Sequence, residues 1–201
     1  LEDLWVAASD DVWAVGDAGT VRRWDGTTWS AMPRGTAADL LAVWGSSHSD
    51  VWVGGDGTLL RWDGSGWHDE GLAFGAGVAG LWGLGPDDLW AVGWEPDGTA
   101  RAMHWDGADW TLADLAASGR DEGGALYDVW GPARDDVWAV GAYGTLAHLA
   151  GGEWTIDRIP SRFDLAGLWG TAPDDIWIVG RNISMEALVV HIFAPLISHQ
   201  S

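Results

Sequence analysis

Apolar and polar residues follow one another along this chain in a short cycle. An apolar run closing on Trp-Gly ("LLAVWG", 40–45) is followed after four residues by "DVWVGG" (50–55), then by "GTLLRW" (57–62), then by a run opening at Trp67 in "GWHDE". Runs of four to six residues rich in Val, Leu and Trp, bounded by Gly and Asp, predict strands; a helix would repeat its apolar positions every three or four residues. The third and fourth runs are separated by Asp-Gly at Asp25-Gly26, Asp63-Gly64 and Asp106-Gly107, the dipeptide that supplies the positive φ of a tight turn. The cycle therefore predicts a four-stranded antiparallel meander, with strands A, B, C and D.

The cycle occurs five times. Its first Trp stands at Trp5, Trp44, Trp82, Trp130 and Trp169, and a second follows eight residues later at Trp13, Trp52, Trp90, Trp138 and Trp177, with periods of 39, 38, 48 and 39 residues. Strand C carries Arg23-Trp24, Arg61-Trp62, His104-Trp105, His148-Leu149 and His191-Ile192, and strand D follows with Trp29, Trp67, Trp110, Trp154 and Ile197. Units of about 40 residues that cannot bury their apolar faces alone stack on one another. The prediction is an all-β chain forming a five-bladed β-propeller of four-stranded antiparallel blades, one domain over 1–201, with blades at approximately 1–36, 37–76, 77–122, 123–161 and 162–201. The first unit opens with A and the last closes with D, so either ring closure rests on side-chain packing between blades five and one or the units are excised from a bigger ring. A linear stack of the same units would leave its end faces bare.

The pattern W-G-x4-D-V-W-A-V-G followed by G-T-x3-W-D-G-x2-W resembles the tryptophan-rich propeller repeats of secreted and surface proteins in bacteria, and is more loosely similar to the tachylectin and tectonin propellers. The resemblance implies a propeller, a binding role and a secreted or cell-surface setting; the lectins imply sugar sites between blades. No defined sugar-binding motif matches residue by residue, and "GTTWS" (26–30) matches only the end of the sialidase-type box.

Composition then narrows the function. Eighteen Trp residues invite a sugar-stacking reading, but those of strands A and B recur in every unit at fixed spacing, as packing residues do. Each contributes roughly 4–6 kcal/mol of gross apolar burial before entropy costs. Aliphatics replace Trp in the C and D slots at Leu149, Ile192 and Ile197, which keeps a core filled and loses a stacking face. Thirty acids against ten bases, all Arg, give a net charge of −20, which repels nucleic acid and anionic lipid. Without Cys there are no disulfides, thiolate chemistry or Cys-based metal sites. No apolar run approaches the roughly 18 residues of a membrane span. The chain opens at Leu1 without a signal-peptide pattern, as a processed or excised piece would.

Acids precede strand B in each unit, at 10–11, 50, 87–88, 135–136 and 174–175. Such carboxylates can bind Ca²⁺, and their repetition favours the plainer role of accepting N–H groups in the turn. His104, His148 and His191 share a slot with Arg23 and Arg61 and read as strand-end surface residues, not metal ligands. Strand-A acids Glu2, Asp3 and Asp128, with Asp39 and Asp164 at strand-A entrances, are the candidates for a channel-centred glycoside hydrolase, which needs two carboxyl groups from different blades.

Strand alternation puts the A–B and C–D turns on one face, strongly acidic, and the B–C turns and D–A connections on the other. On that second face the copies differ: unit three has a long B–C segment, "GWEPDGT", and a long connection to unit four, "TLADLAASGRDEGGA". Unit five also lengthens its B–C turn, "RNISMEA", and Arg34, Arg120, Arg158, Arg162 and Arg181 fall on this face. Irregular loops on a regular scaffold are where function is usually carried. The expected site is Trp94, Glu95, Asp97, Arg120, Asp121 and Tyr143, in a non-enzymatic binding propeller that takes a glycan or protein ligand. No cofactor, metal, nucleic acid or membrane insertion is expected, and the propeller is expected to be monomeric. The alternatives are the channel hydrolase and a scaffold module of a larger surface protein.

Overall fold

The structure is a computed structural model and describes residues 1–33, 35–71, 75, 77–115, 124–159, 163–182 and 184–192. Within them the chain forms five antiparallel sheets in sequence order. The first is β1 (Asp3–Ala8), β2 (Asp11–Gly16), β3 (Thr20–Trp24) and β4 (Trp29–Ala31). The second is β5 (Leu40–Ser47), β6 (Asp50–Gly55), β7 (Thr58–Trp62) and β8 (Trp67–Asp69). The third is β9 (Gly77–Gly85), β10 (Asp88–Trp94), β11 (Ala100–Trp105) and β12 (Trp110–Leu112). The fourth is β13 (Leu126–Ala133), β14 (Asp136–Gly141), β15 (Thr145–Ala150) and β16 (Glu153–Arg158). The fifth has β17 (Asp164–Ala172), β18 (Asp175–Arg181) and β19 (Ala187–Ile192), and its expected strand D at Ile197 lies outside the described residues. The described residues contain no helix long and apolar enough to cross a membrane.

The eight-residue spacing of the A and B tryptophans is the register of the first hairpin. Trp5 pairs with Trp13, Trp44 with Trp52, Trp82 with Trp90, Trp130 with Trp138 and Trp169 with Trp177. The C and D residues pair likewise, Trp24 with Trp29, Trp62 with Trp67, Trp105 with Trp110 and Leu149 with Trp154. In the first three sheets the C–D loop runs over four residues with its Gly at positive φ (Gly26 and Gly64 at 91°, Gly107 at 100°). The preceding Asp closes each loop: Asp25 Oδ1 accepts the Thr27 and Thr28 N–H groups, and Asp63 and Asp106 repeat the arrangement. The fourth sheet instead uses Gly151-Gly152, both at positive φ, in a two-residue turn that matches strand twist, and its strand D runs six residues instead of three.

Four apolar cores join the five sheets. At the first three seams the strand-B Trp of one sheet lies under C and D residues of the next, and at the fourth, among the described residues, under strand C. Trp13 meets Trp62 and Trp67 at 6.2 and 6.1 Å, Trp52 meets Trp105 and Trp110 at 5.3 and 5.4 Å, and Trp90 meets Trp154 at 5.3 Å. Trp138 is packed with Ile192 in the fourth core. The first strands also grip one another: Asp3 accepts the Leu4 N–H and, across the seam, the Val43 N–H at 2.8 Å, and Asp128 does the same with Val129 and Leu168 at 2.9 Å. Among the described residues no apolar core joins the fifth sheet to the first, so the closing seam expected from the repeat count is not among those seen.

The acids before strand B do something other than cap turns. The last acid of each group accepts a side-chain hydrogen bond from the strand-C residue across from it: Arg23 to Asp11 and Arg61 to Asp50 at 2.8 Å, His104 with Asp88 at 2.6 Å, His148 with Asp136 at 2.8 Å and His191 with Asp175 at 2.6 Å. These Arg and His groups in turn cover the strand-B Trp of their own sheet, from a guanidinium 5.0 Å from the Trp52 ring to His148 stacked 3.6 Å over Trp138. Reading them as strand-end surface residues is therefore corrected. The Arg or His side chain is largely buried because it must reach both a sunken carboxylate and an indole face.

Candidate functional site

The B–C and D–A face gathers residues from three sheets. Trp94, expected in a loop outside the register, ends β10 instead, pairing with Gly77 on one side and Ala100 on the other after a register shift at Val92/Gly93. Its ring covers Gly77, where an added Cβ would come within 3.0 Å of it, and meets Tyr127 edge-on at 6.5 Å. Only part of the indole faces solvent.

Glu95 is turned back into the scaffold. Its Oε2 accepts the Gly75 N–H at 3.0 Å and its Oε1 pairs with Arg101 at 3.2 Å, so it ties the entry to the third sheet to the B–C loop. Asp97 lies at the loop tip, exposed, and Thr99 holds its carboxyl below the usual range through its hydroxyl and N–H. Arg120 and Asp121 lie outside the described residues.

Tyr143 sits in the B–C turn of the fourth sheet with φ 57°, and its side chain is 70% exposed. Ala18 occupies the same turn in the first sheet with φ 48°. In both, the N–H of this residue is held by the acid that opens the next sheet, Ala18 by Asp39 at 2.7 Å and Tyr143 by Asp164 at 2.9 Å. The turn is scaffold; the phenol is an addition to it. Asp39 and Asp164 are thereby employed as turn anchors.

Tyr127 joins Trp94 to this group and was not expected from the sequence. It opens the inner strand of the fourth sheet, where burial, helped by the nearby Asp164 and Tyr143, pushes its hydroxyl pKa up. The signal available in the sequence was that this position, three before the strand-A Trp, holds Glu2, Leu41, Ala79 and Ala166 in the other units and an aromatic only here. Trp94, Tyr127 and Tyr143, with Asp164 beside them, make an aromatic ledge with acidic edges. Such a surface can stack a sugar ring or an apolar side chain and accept hydrogen bonds at its margin.

The strand-A acids are bound into the scaffold. Both carboxylate oxygens of Asp128 accept backbone N–H groups, and burial pushes its pKa up to about 6, with the charge on Asp3 adding to the rise. Burial raises Asp3 as well. Glu2 is exposed. On the acidic face, a separate open cleft of about 510 Å³ lies between the first two sheets, with Trp5, Asp10, Asp11, Arg23 and His48 among its walls. Among the described residues no group of three or more His, Asp or Glu side chains is placed to hold a metal ion.

No protein-family model matches the chain, and no curated protein does. Solved structures do match. The WD40 β-propeller domain of Doa1 superposes with a TM-score of 0.71 at 14% identity, over 95% of this chain and 64% of that one. YCF48 bound to a D1 peptide gives 0.65 at 15%, over 97% and 64%. The Aleuria aurantia lectin in complex with alpha-methyl-L-fucoside gives 0.57 at 18%, over 96% and 74%. The chain thus spans about two thirds to three quarters of the length of these propellers, and what it shares with them is the β-propeller arrangement of antiparallel sheets.

Proposed function

We propose that this chain is a non-enzymatic binding module that engages a glycan or a protein segment on its B–C and D–A face. The ligand rests on Trp94, Tyr127 and Tyr143, with Asp97 at its margin and Glu95 holding the loop; Arg120 and Asp121, the other two residues of the expected site, lie outside the described residues. The observation that carries the reading is the phenol of Tyr143. It is placed in solvent on a left-handed backbone that the equivalent turn forms equally well with Ala18, so folding does not require it. Two neighbours of the same fold were solved with ligands of these classes, a peptide and a fucoside, and a secreted or surface setting accords with the repeat family that the chain resembles. The channel-hydrolase reading is weaker, because each of Asp3 and Asp128 accepts one peptide N–H of its own strand and one of the next sheet, which occupies both of its oxygens.

A glycan array and a peptide array, each read with and without calcium, test the proposal. A hit is expected to lose at least about tenfold in affinity with Tyr143→Ala, the size of a lost aromatic contact, and to be insensitive to calcium. Binding unchanged by both Tyr143→Ala and Trp94→Ala would remove this face from the site.

A further inference from the structure

Three of the four internal seams share one steric contact; at the remaining one, between the third and fourth sheets, the Trp82 and Trp130 rings meet at 6.5 Å instead. At those three seams the strand-A Trp of a sheet lies over the Gly that follows the strand-A Trp of the next sheet. A Cβ on that Gly would come within 2.7 Å of the Trp5 ring at Gly45, 3.0 Å of Trp44 at Gly83 and 2.7 Å of Trp130 at Gly170. Beside this contact the strand-B Trp is covered by the C and D residues of the same next sheet, which leaves Trp13 and Trp52 0% exposed. The fifth sheet presents the same face uncovered. Trp169 is 60% and Trp177 44% exposed, and Val179 and Val189 are open beside them.

The uncovered face at the other end belongs to the first sheet, where Leu4, Val6 and Trp29 are exposed. That sheet cannot receive Trp169 as the second, third and fifth sheets receive their predecessors, because the position after its strand-A Trp is Val6, not Gly. A Cβ alone would already crowd the ring, and Val adds two methyl groups. The same obstacle bars the first sheet of a second copy. We infer that the fifth sheet is a docking face for a further four-stranded sheet of the Trp-Gly type, so that the five sheets are an arc of a larger ring. The length left over in the matched propellers, 26–36% of each chain, is the size of roughly two to three 40-residue units.

The test adds the missing surface. A copy of residues 37–76, which carries Gly45, is appended to the full chain, and a control copy carries Gly45→Val. The Trp-Gly extension is expected to raise Tm by about 5 °C and to cut acrylamide quenching of Trp169 and Trp177, read by difference against Trp169→Phe and Trp177→Phe; the control is expected to do neither. Equal gains from both copies, or no gain from either, would overturn the inference. The unextended chain offers a second check that needs no new sheet to fold. With no native Cys, a Val6→Cys/Trp169→Cys pair should stay unlinked under mild oxidation, and the chain should elute as a monomer. An intramolecular disulfide would show that the first sheet is the occupant, and an intermolecular one that a second copy is.

Discussion

Asp88 is 2% exposed and holds two partners, His104 of its own sheet at 2.6 Å and Arg134 of the next sheet at 3.3 Å. Removing a carboxylate so placed leaves both donors without their acceptor. Asp88→Ala should lower unfolding free energy in urea by about 2–3 kcal/mol, whereas Asp87→Ala, at an exposed position, should change it by less than about 1 kcal/mol. Asp128 gives a pH dependence. Its folded pKa is raised to about 6, above that of an unfolded Asp, so the folded state binds the proton more tightly and the charged form is penalised. That penalty is absent below the unfolded value, grows as pH rises through 4 to 6, and is complete above. Asp128→Asn should therefore remove a downward slope in stability across about pH 4–6, seen by comparing denaturation midpoints of the two proteins at matched pH. The pairs of Asp with Arg or His could be read from the sequence only as co-occurrence: an acid before strand B accompanied by Arg or His in strand C in all five copies. Their contact spans 11 to 16 residues of chain, with B–C segments of different lengths, so spacing alone did not reveal it.

At the level of strands and turns the sequence was most legible. Alternation of short apolar runs with Asp-Gly steps fixed where strands start and which residues pair, because a tight turn allows few registers. Gly64 carries φ 91°, and a Cβ there would come within 2.8 Å of Ser49. Gly64→Ala should cost about 1–2 kcal/mol, measurable as a lower Tm, while Gly66→Ala in the same loop, with open space around it, should be close to neutral. Trp94 was misplaced for a definable reason. The eight-residue Trp pairing marks the start of strand B, and nothing local marks its end, so a strand continuing into a longer loop read as loop. Tyr127 was passed over because its neighbours in the repeat pattern are packing residues, and its closeness to Trp94 arises between two sheets.

For the whole molecule, equivalent residues are unequal according to which sheet covers them. Trp52 and Trp177 hold the same repeat position, yet Trp52 is fully buried and Trp177 is 44% exposed. Trp52→Ala should cost about 3–5 kcal/mol and Trp177→Ala about 1–2 kcal/mol, checked by urea denaturation of the two variants. The repeat by itself determined the all-β class, five units, their strand order and the register of each Trp pair, since those follow from local periodicity and turn chemistry. Only the tertiary structure decided which faces find a cover and which acids meet which Arg and His side chains. It also decided how Trp94, Tyr127 and Tyr143 come to share one surface, because each of these depends on how one sheet is set against the next, and a single repeat does not contain its neighbour.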